Sequence, residues 1–379
     1  MSGTVGGAGR ITRSALGLAA RGSDAPRERE REEPGEGALP GGSVEPAEGS
    51  NAWAIGPSRT TTGHAMLFMN PHWNFLTSGL RWEVHVESGE GWRFSGFCIL
   101  GNPIPRTGQN GRLGWTHTNL AGDFDDQYAV TFDHPTDSLL YRYDGGWRRA
   151  EAWIDTVMVR RDGALEAQPV RLVRTHYGPV VAWTSPTRAI VAHTIAEELG
   201  TRSPLEQRYR MAKSANLAQW REAMAMRTFA GSGTTYADAD GNVVFAVGNA
   251  APRRKPGVAW RGAPVLELGQ ESEWDGLLPI DSVPMLVNPA TGFVQHTNST
   301  PWLATTDGAN LDSARFPADI GLDRDNARAV NSRRLLSGTR RFSFDDWQRT
   351  TMDTRVSWAD SVLPPLLAEL DRFARAYPG

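Results

Sequence analysis

The sequence contains few side chains that could serve as sulfur or amine nucleophiles. Cys98 is its one cysteine, and Lys213 and Lys255 are its two lysines, in a chain of 379 residues. A single thiol excludes an intramolecular disulfide and a thiolate metal cage. The choice of a catalytic nucleophile therefore narrows towards hydroxyl groups.

The sequence also lacks a long apolar run and a large net charge. No stretch approaches about eighteen consecutive apolar residues, which excludes a membrane-spanning helix. The formal net charge is -3, from 40 basic and 43 acidic side chains, so no single-sign field indicates a nucleic-acid or lipid partner. With 40% hydrophobic residues and 14 tryptophans, the chain can bury a sizeable core in one large domain or two ordinary ones.

The composition changes abruptly near residue 50. Residues 1–49 are dominated by Gly, Ala, Pro, Glu and Arg, which predicts a disordered leader. A weakly apolar stretch at 14–20 is too short for a convincing signal peptide. Residues 50–379 carry strand-like segments with interposed helical periodicity, without the alternation of strands and helices that parallel sheets need. This pattern favours a single α+β domain over a Rossmann-type fold.

Strands are predicted where β-branched and aromatic residues alternate with polar ones between Gly, Pro, Asp and Asn. The predicted strands are 52–55, 65–69, 80–86, 92–100, 112–118, 127–132, 153–160, 170–175, 189–193 and 242–247. Helices are predicted behind candidate caps at Ser214 and Ser343, and again across residues 363–373.

The junction between Gly49 and Ser50 is the most informative point of the chain, because a flexible leader meets the first strand there. Attack of the Ser50 hydroxyl on the Gly49 carbonyl would convert the peptide bond to an ester, and hydrolysis would free the Ser50 α-amino group. That group has an ordinary pKa of about 7.7–8.0, so it can accept a proton near neutral pH. One residue would then supply nucleophile and base. Taken alone, the dipeptide is far more typical of an ordinary serine at a junction between a linker and a strand.

Five segments carry a further pattern in a fixed order. They are Ser50-Asn51-Ala52-Trp53-Ala54-Ile55 with Gly63 following, Asn70-Pro71-His72-Trp73, residues 108–119 (GQNGRLGWTHTN), Tyr236-Ala237-Asp238 to Asn242, and Asn288-Pro289 to Gly292 with Asn298-Ser299-Thr300-Pro301. In this order they resemble the penicillin acylase family of N-terminal-nucleophile hydrolases, across roughly residues 50 to 377.

The resemblance implies an αββα four-layer sandwich and an amide-bond hydrolase that needs no cofactor for catalysis. Ser50 would be the nucleophile, and its α-amino group the base, after self-cleavage at Gly49–Ser50. His72 would hold the geometry near that amine, the alternative being a histidine that caps a strand. The backbone N–H of Asn119 would stabilise the tetrahedral intermediate, as an oxyanion-hole donor does.

Two positions test the resemblance. The family usually has Asn five residues before Asp238, where this chain has Gly233. Either Ser232 or Thr234 replaces the missing amide or the oxyanion hole lacks a donor, and Gly233→Asn should then keep or raise activity. Arg254 matches a basic position that supports the site, with an ordinary surface arginine as the alternative.

Asp123 and Asp126 match a stretch at which the family often binds calcium. Closely spaced carboxylates suit that ion, which would be structural and away from the reacting carbonyl. A solvated acidic turn is the alternative.

The resemblance also implies the substrate class. Acylated amines are expected, such as β-lactams, N-acyl homoserine lactones or lipopeptides, at a periplasmic or secreted location. Family members normally have a long helical chain before the catalytic serine, where this sequence has 49 residues, so a partial member that lacks this partner chain is expected. The alternative is a catalytically silent fragment that acts as a binding or structural module, and intact mass would distinguish the two.

Overall fold

The computed structural model of the protein describes residues 49–73, 80–248, 250–266, 268–306 and 308–377. All of them belong to one compact unit, Gly49–Gly379. The predicted disordered leader lies outside the described residues, apart from Gly49.

Within these residues the chain forms seventeen strands and five α-helices. The strands are β1 (Gly49–Ile55), β2 (Met66–His72), β3 (Arg81–Ser88), β4 (Trp92–Ile99), β5 (Thr107–Gln109), β6 (Leu113–Asn119), β7 (Asp126–Thr131), β8 (Leu140–Tyr143), β9 (Gly146–Arg149), β10 (Glu151–Arg161), β11 (Ala164–Arg174), β12 (Val180–Ser185), β13 (Arg188–His193), β14 (Ser232–Asp238), β15 (Val243–Val247), β16 (Met285–Val287) and β17 (Phe293–His296). The helices are α1 (Pro204–Lys213), α2 (Leu217–Met224), α3 (Ala327–Leu336), α4 (Phe344–Thr351) and α5 (Ala359–Ala376).

The strands form two central sheets and three smaller ones. A seven-stranded sheet has the order β16-β15-β14-β6-β5-β4-β3, and a three-stranded sheet has the order β17-β1-β2. The smaller sheets are β12-β13-β7 and the hairpins β8-β9 and β10-β11. Because the strands of both central sheets pair antiparallel, their opposite faces can bury different sets of side chains.

Alternation along β1 divides its side chains between two cores. Ala54 shares a core with Phe245 of β15, which joins the three-stranded sheet to one face of the seven-stranded sheet. Trp53 and Ile55 point the other way and pack with Trp347 of α4. The period of two along the strand therefore places one apolar set against the second sheet and the other against helices.

The seven-stranded sheet is divided in the same way. Phe245 faces the core shared with β1, whereas Val244 and Ala246 pack with Met211 of α1 and Trp220 of α2. The first central sheet is thus covered by α1 and α2, and residues of α3 and α4 cover the second.

The α+β prediction is confirmed, and each predicted strand coincides with an observed one. The helix after Ser214 begins two residues later than predicted, because Asn216 accepts the capping hydrogen bond from Gln219 N. Ser343 and Asp346 form the expected capping box at α4. Among the helices of the described residues, none has the length and apolar character to cross a membrane.

Candidate active site

Ser50 lies on β1, where it is the register partner of Pro71 on β2, and it is 1% exposed. Its hydroxyl donates a hydrogen bond to the Gly49 carbonyl oxygen at 2.6 Å. The Ser50 oxygen therefore lies beside the carbonyl group that self-attack would use.

The backbone of Ser50 is held at both ends by side chains distant in sequence. Its N–H donates to Oδ1 of Asn298 at 2.5 Å, and its carbonyl accepts from Arg328 at 2.8 Å. Arg328 also donates to Asn298 Oδ1 at 3.0 Å and to Asn51 Oδ1 at 2.8 Å. The peptide unit on the C-terminal side of the Gly49–Ser50 bond is therefore fixed by a connected set of polar groups.

Asn326 positions both of these side chains. It is the N-cap of α3, where it accepts from Ala329 N, and it donates to the carbonyls of Thr297 and Asn298 at 3.1 and 2.8 Å. Asn298 has φ 55, in the left-handed region that Asn tolerates better than most residues. One capping residue thus joins the start of the helix that carries Arg328 to the turn that carries Asn298.

His72 is the register partner of Gly49 on β2. Its Nε2 lies 2.6 Å from Asn70 Oδ1 and 3.4 Å from Asn51 Nδ2. Burial and the nearby charge of Arg328 lower the pKa of His72 from its usual value. The neutral ring is therefore the favoured form near pH 7, opposite the bond that self-attack would break.

Asn119 ends β6 with its peptide groups pointing away from β14. Leu120 N–H donates to the Gly231 carbonyl, so Asn119 and its partner Ser232 form a non-hydrogen-bonded pair. The Asn119 carbonyl instead accepts from Nδ2 of Asn298 at 2.8 Å. Because N–H and C=O of one strand residue point to the same side, the Asn119 N–H points towards the side chain that holds Ser50.

Gly233 has no room for a side chain, which corrects the expectation that Asn would be tolerated there. A β-carbon built on Gly233 would lie 2.8 Å from a ring carbon of Phe245, 2.9 Å from Thr118 Oγ1 and 3.1 Å from His296 Nδ1. A side chain at position 233 would therefore force Phe245, Thr118 and His296 to move.

The suggested substitutes for the missing amide point elsewhere. Ser232 and Thr234 flank Gly233 on β14 without a register shift, so their side chains lie on the opposite face of the sheet. Thr234 Oγ1 contacts His117 Nδ1 at 3.0 Å on that face. Neither residue occupies the place of a side chain at position 233.

His296 occupies the space facing Gly233. Its ring stacks on Phe245 at 4.9 Å, Nδ1 lies 2.5 Å from Thr118 Oγ1, and Nε2 lies 2.8 Å from the Ser299 carbonyl. Since a carbonyl can only accept, Nε2 carries the proton and Nδ1 accepts from Thr118. Burial, together with the charge of Arg328, lowers the pKa of His296 to about 4, so the ring is neutral at pH 7.

Arg254 lies in a separate ion cluster. Its Nε donates to Asp126 Oδ2 at 2.7 Å, it pairs with Asp123 and Asp319, and its side chain is 7% exposed. The cluster fixes the segment that follows Asn119, because Asp123 N–H also donates to the Asp319 carbonyl. Arg254 is therefore a buried structural cation, and no hydrogen bond joins it to Ser50 within the described chain.

The carboxylates proposed for calcium are bound to this guanidinium. Asp126 Oδ2 also accepts from Trp274 Nε1 at 2.5 Å, while Asp126 Oδ1 is buried without a partner among the described residues. Calcium takes roughly six to eight oxygen ligands, whereas here the guanidinium of Arg254 already occupies an oxygen of Asp123 and an oxygen of Asp126. In the described part of the chain, no group of three or more His, Cys, Asp or Glu side chains is arranged for a metal. The calcium assignment stays a prediction that the present arrangement does not fit.

Sequence reasoning missed Asn298, Arg328 and His296 as parts of the site. Asn298 begins the segment Asn298-Ser299-Thr300-Pro301, which is one of the five that carry the family resemblance. Its place in that segment was the signal that could have identified it. Arg328 gave no local signal, because its contact with Ser50 spans 278 positions.

Comparisons with known proteins give one family. A family model described as penicillin amidase matches residues 7–377. The chain is 26% identical over 344 residues to an acyl-homoserine lactone acylase PvdQ of Pseudomonas syringae pv. tomato, covering 84% of this chain and 44% of that protein. It is 25% identical over 252 residues to a penicillin G acylase of Escherichia coli, covering 66% of this chain and 29% of that protein.

A solved structure shares the fold. The thermostable penicillin G acylase of Alcaligenes faecalis superposes with a TM-score of 0.66 at 20% identity, covering 85% of this chain and 56% of that one. The chain thus spans less than half the length of the curated relatives named above.

Proposed function

Because the chain belongs to the penicillin amidase family, we propose that it is an amide-bond hydrolase that acts through an acyl-Ser50 intermediate after self-cleavage at Gly49–Ser50. One observation carries the proposal. The Ser50 hydroxyl lies 2.6 Å from the Gly49 carbonyl oxygen while Asn298 and Arg328 fix the Ser50 N–H and C=O.

We extend the proposal to the layers formed by the two central sheets and their helices. One central sheet packs on α1 and α2, the other packs on residues of α3 and α4, and the sheets share a core. We assign this arrangement to the αββα sandwich of N-terminal-nucleophile hydrolases. The likeness to the penicillin G acylase structure supports it.

Self-cleavage would begin with attack of Ser50 Oγ on the Gly49 carbonyl carbon. The new C–O bond forms, the C–N bond breaks, and the proton of the Ser50 hydroxyl passes to the Ser50 nitrogen, which becomes an amine. Water then hydrolyses the ester and releases the carboxylate of Gly49. Asn298 Oδ1, which accepts from the peptide N–H before cleavage, is positioned to accept from the amine afterwards.

The same groups would serve the hydrolysis of a substrate amide. Ser50 Oγ attacks the acyl carbonyl and passes its proton to the α-amino group, which then protonates the departing amine. The Asn119 N–H would donate to the oxyanion, consistent with its direction towards Asn298. Water completes the cycle by hydrolysing the acyl-Ser50 ester, and no cofactor takes part.

Candidate substrates are acylated amines, including β-lactams, N-acyl homoserine lactones and lipopeptides. The names of the acyl-homoserine lactone and penicillin G acylases to which the chain is similar support this class. The expected helical partner chain stays a proposal.

The proposal is tested by assaying purified protein on amide substrates with a chromogenic amine, with Ser50→Ala as the matched inactive variant. Hydrolysis by the wild type and none by Ser50→Ala is expected. Equal turnover by both proteins would overturn the assignment of Ser50. A wild type that is neither cleaved nor active would favour the alternative of a silent module.

A further inference from the structure

Gly49, the residue before the candidate nucleophile, lies in a space that fits no side chain unless its neighbours move. It is buried, and a β-carbon built on it would lie 3.1 Å from Nη2 of Arg328 and 3.1 Å from Oδ1 of Asn298. Both distances are shorter than ordinary van der Waals contacts of 3.4–4 Å. The φ angle of Gly49 lies outside the left-handed region, so the two neighbouring side chains, and not the backbone conformation, disfavour an L residue here.

The two neighbouring side chains are held in place by the hydrogen bonds that fix the nucleophile. Asn298 accepts from the Ser50 N–H at 2.5 Å and donates to the Asn119 carbonyl at 2.8 Å. Arg328 donates to the Ser50 carbonyl and to Oδ1 of Asn51, each at 2.8 Å. A substituent that displaced either side chain would break these hydrogen bonds, so the space beside the scissile carbonyl stays closed.

In the proposed mechanism, self-cleavage makes Gly49 the first acyl group that Ser50 carries. The ester joins Oγ of Ser50 to the carbonyl carbon of Gly49, whose carbonyl oxygen already lies 2.6 Å from Oγ. A substrate would form the same ester with its own acyl carbon. Its α-carbon, the atom next to the scissile carbonyl, would then take the place of the Gly49 α-carbon and meet the same neighbours.

We propose that Asn298 and Arg328 select the acyl group by its α-carbon, accepting a methylene and rejecting a substituent in the L configuration. The proposal rests on the proposed function, because it requires the acyl carbon to be bound to Ser50. A substituent in the D configuration replaces the other hydrogen of the methylene and diverges from Asn298 Oδ1 and Arg328 Nη2. The substrate class therefore narrows from acylated amines in general to amides whose acyl α-carbon carries no L substituent.

Three amides with one chromogenic amine test the proposal, namely the para-nitroanilides of N-acetylglycine, N-acetyl-L-alanine and N-acetyl-D-alanine. The glycine compound repeats the covalent structure of residue 49, and the two alanine compounds differ only in configuration. We expect kcat/KM of the L compound to lie about tenfold or more below the values of the other two, because a forced contact weakens transition-state binding. An L compound hydrolysed as well as the D compound or the glycine compound would overturn the inference while leaving the proposed function intact.

Removal of the obstructing side chains should change this selectivity. Asn298→Gly and Arg328→Ala should lower all rates, because both side chains hold Ser50, so the ratio of L to D is compared within each protein. The ratio should rise towards one in both variants. Arg333→Ala on the same helix is the control, because Arg333 pairs with Asp325, and it should keep the wild-type ratio. A ratio unchanged in Asn298→Gly and Arg328→Ala would overturn the assignment of the selectivity to these side chains.

The uncleaved chain gives an independent test. Gly49→Ala adds the same L substituent, whose methyl group pushes Asn298 and Arg328 away from Ser50, so self-cleavage followed by intact mass should be about tenfold or more slower than in the wild type. Gly89→Ala is the matched control, because a β-carbon there meets no described atom within 4 Å and its φ is also outside the left-handed region.

The outcomes of the two tests separate this inference from the proposed function. The chain released from Gly49→Ala begins at Ser50 and is identical to the wild-type product, so a difference in rate concerns the α-carbon of residue 49 alone. Cleavage of Gly49→Ala as fast as that of the wild type would overturn the inference in a protein that is otherwise active. A wild type that neither cleaves itself nor hydrolyses any amide would overturn the proposed function and this inference together.

Discussion

At the scale of single residues, Asn298 combines a left-handed backbone with an amide that accepts from Ser50 and donates to Asn119. Asn298→Gly keeps the left-handed backbone conformation accessible and removes the side-chain amide. Cleavage at Gly49–Ser50 should therefore slow by about tenfold or more, because a hydrogen bond to the reacting peptide group is lost. The fraction of cleaved chain, measured by mass spectrometry at fixed times after synthesis, reports this rate. Asn298→Asp keeps an acceptor and should be cleaved faster than Asn298→Gly. Equal rates for the wild type and Asn298→Gly would refute the positioning role.

The lowered pKa of His296 predicts how the stability of the protein depends on pH. Its pKa is about 4 in the folded protein and about 6.5 in an unfolded chain, so the unfolded chain binds a proton over this range that the folded one does not. The free energy of unfolding should therefore fall as pH decreases from about 6.5 to about 4, with a contribution from this group of about 3 kcal/mol. Urea denaturation at several pH values should show a shallower dependence for His296→Gln. Identical pH dependence in both proteins would show that His296 titrates normally.

The base assigned to Ser50 predicts the pH profile of hydrolysis. An α-amino base is active when unprotonated, so kcat/KM should rise with pH through one pKa near the α-amino range of about 7.7–8.0. His72 should not control this limb, because burial and Arg328 lower its pKa and keep it neutral there. Steady-state kinetics with a neutral amide supply the profile. A limb that titrates near pH 4 would indicate a carboxylate base instead.

At the scale of structural elements, the ion cluster of Arg254 ties the segment after β6 to residues 252–254 and 319. Replacing Arg254 with Gln leaves buried Asp126 without its cation, which should lower the free energy of unfolding by about 3–5 kcal/mol. A chelator should leave the thermal midpoint of the wild type unchanged, because the guanidinium already neutralises these carboxylates. A midpoint that falls with chelator and recovers with calcium would support the metal site predicted from Asp123 and Asp126.

The elements that sequence reasoning found are those with a clear period. β3, β6 and β15 were predicted because apolar residues alternate or run continuously between turn residues. β14 was missed because all seven of its residues are buried and most are small or polar, which leaves no alternation to detect. The helix start at Asn216 was missed because Ser214 is an equally good cap by composition, and only the backbone geometry decides between them.

The site was predictable only in part, because the sequence shows local motifs and not contacts between distant residues. Ser50, Asn119 and His72 belong to local motifs, so the sequence identified them. Asn298 and Arg328 reach Ser50 across 248 and 278 positions, and no local pattern encodes such contacts. The closed space at Gly233 is also a long-range property, because the side chains that fill it come from three other strands.

At the scale of the whole molecule, the candidate site exists because two sheets and a helix converge. β1 supplies Ser50, β6 supplies Asn119, the turn after β17 supplies Asn298 and α3 supplies Arg328. Because these segments come from both ends of the described chain, the nucleophile is assembled only when the whole unit folds. Self-cleavage is therefore a readout of correct folding as well as of chemistry.

The most direct test of the central claim is the intact mass of the purified wild type beside that of Ser50→Ala. The account predicts a wild-type chain that begins at Ser50, with the leader through Gly49 released, and an uncleaved but folded Ser50→Ala protein. Ser50→Cys should also be cleaved, because a thiol can make the same attack. A wild-type chain left uncleaved, or cleavage at Gly49–Ser50 that persists in Ser50→Ala, would contradict the assignment of Ser50 as the self-activating nucleophile.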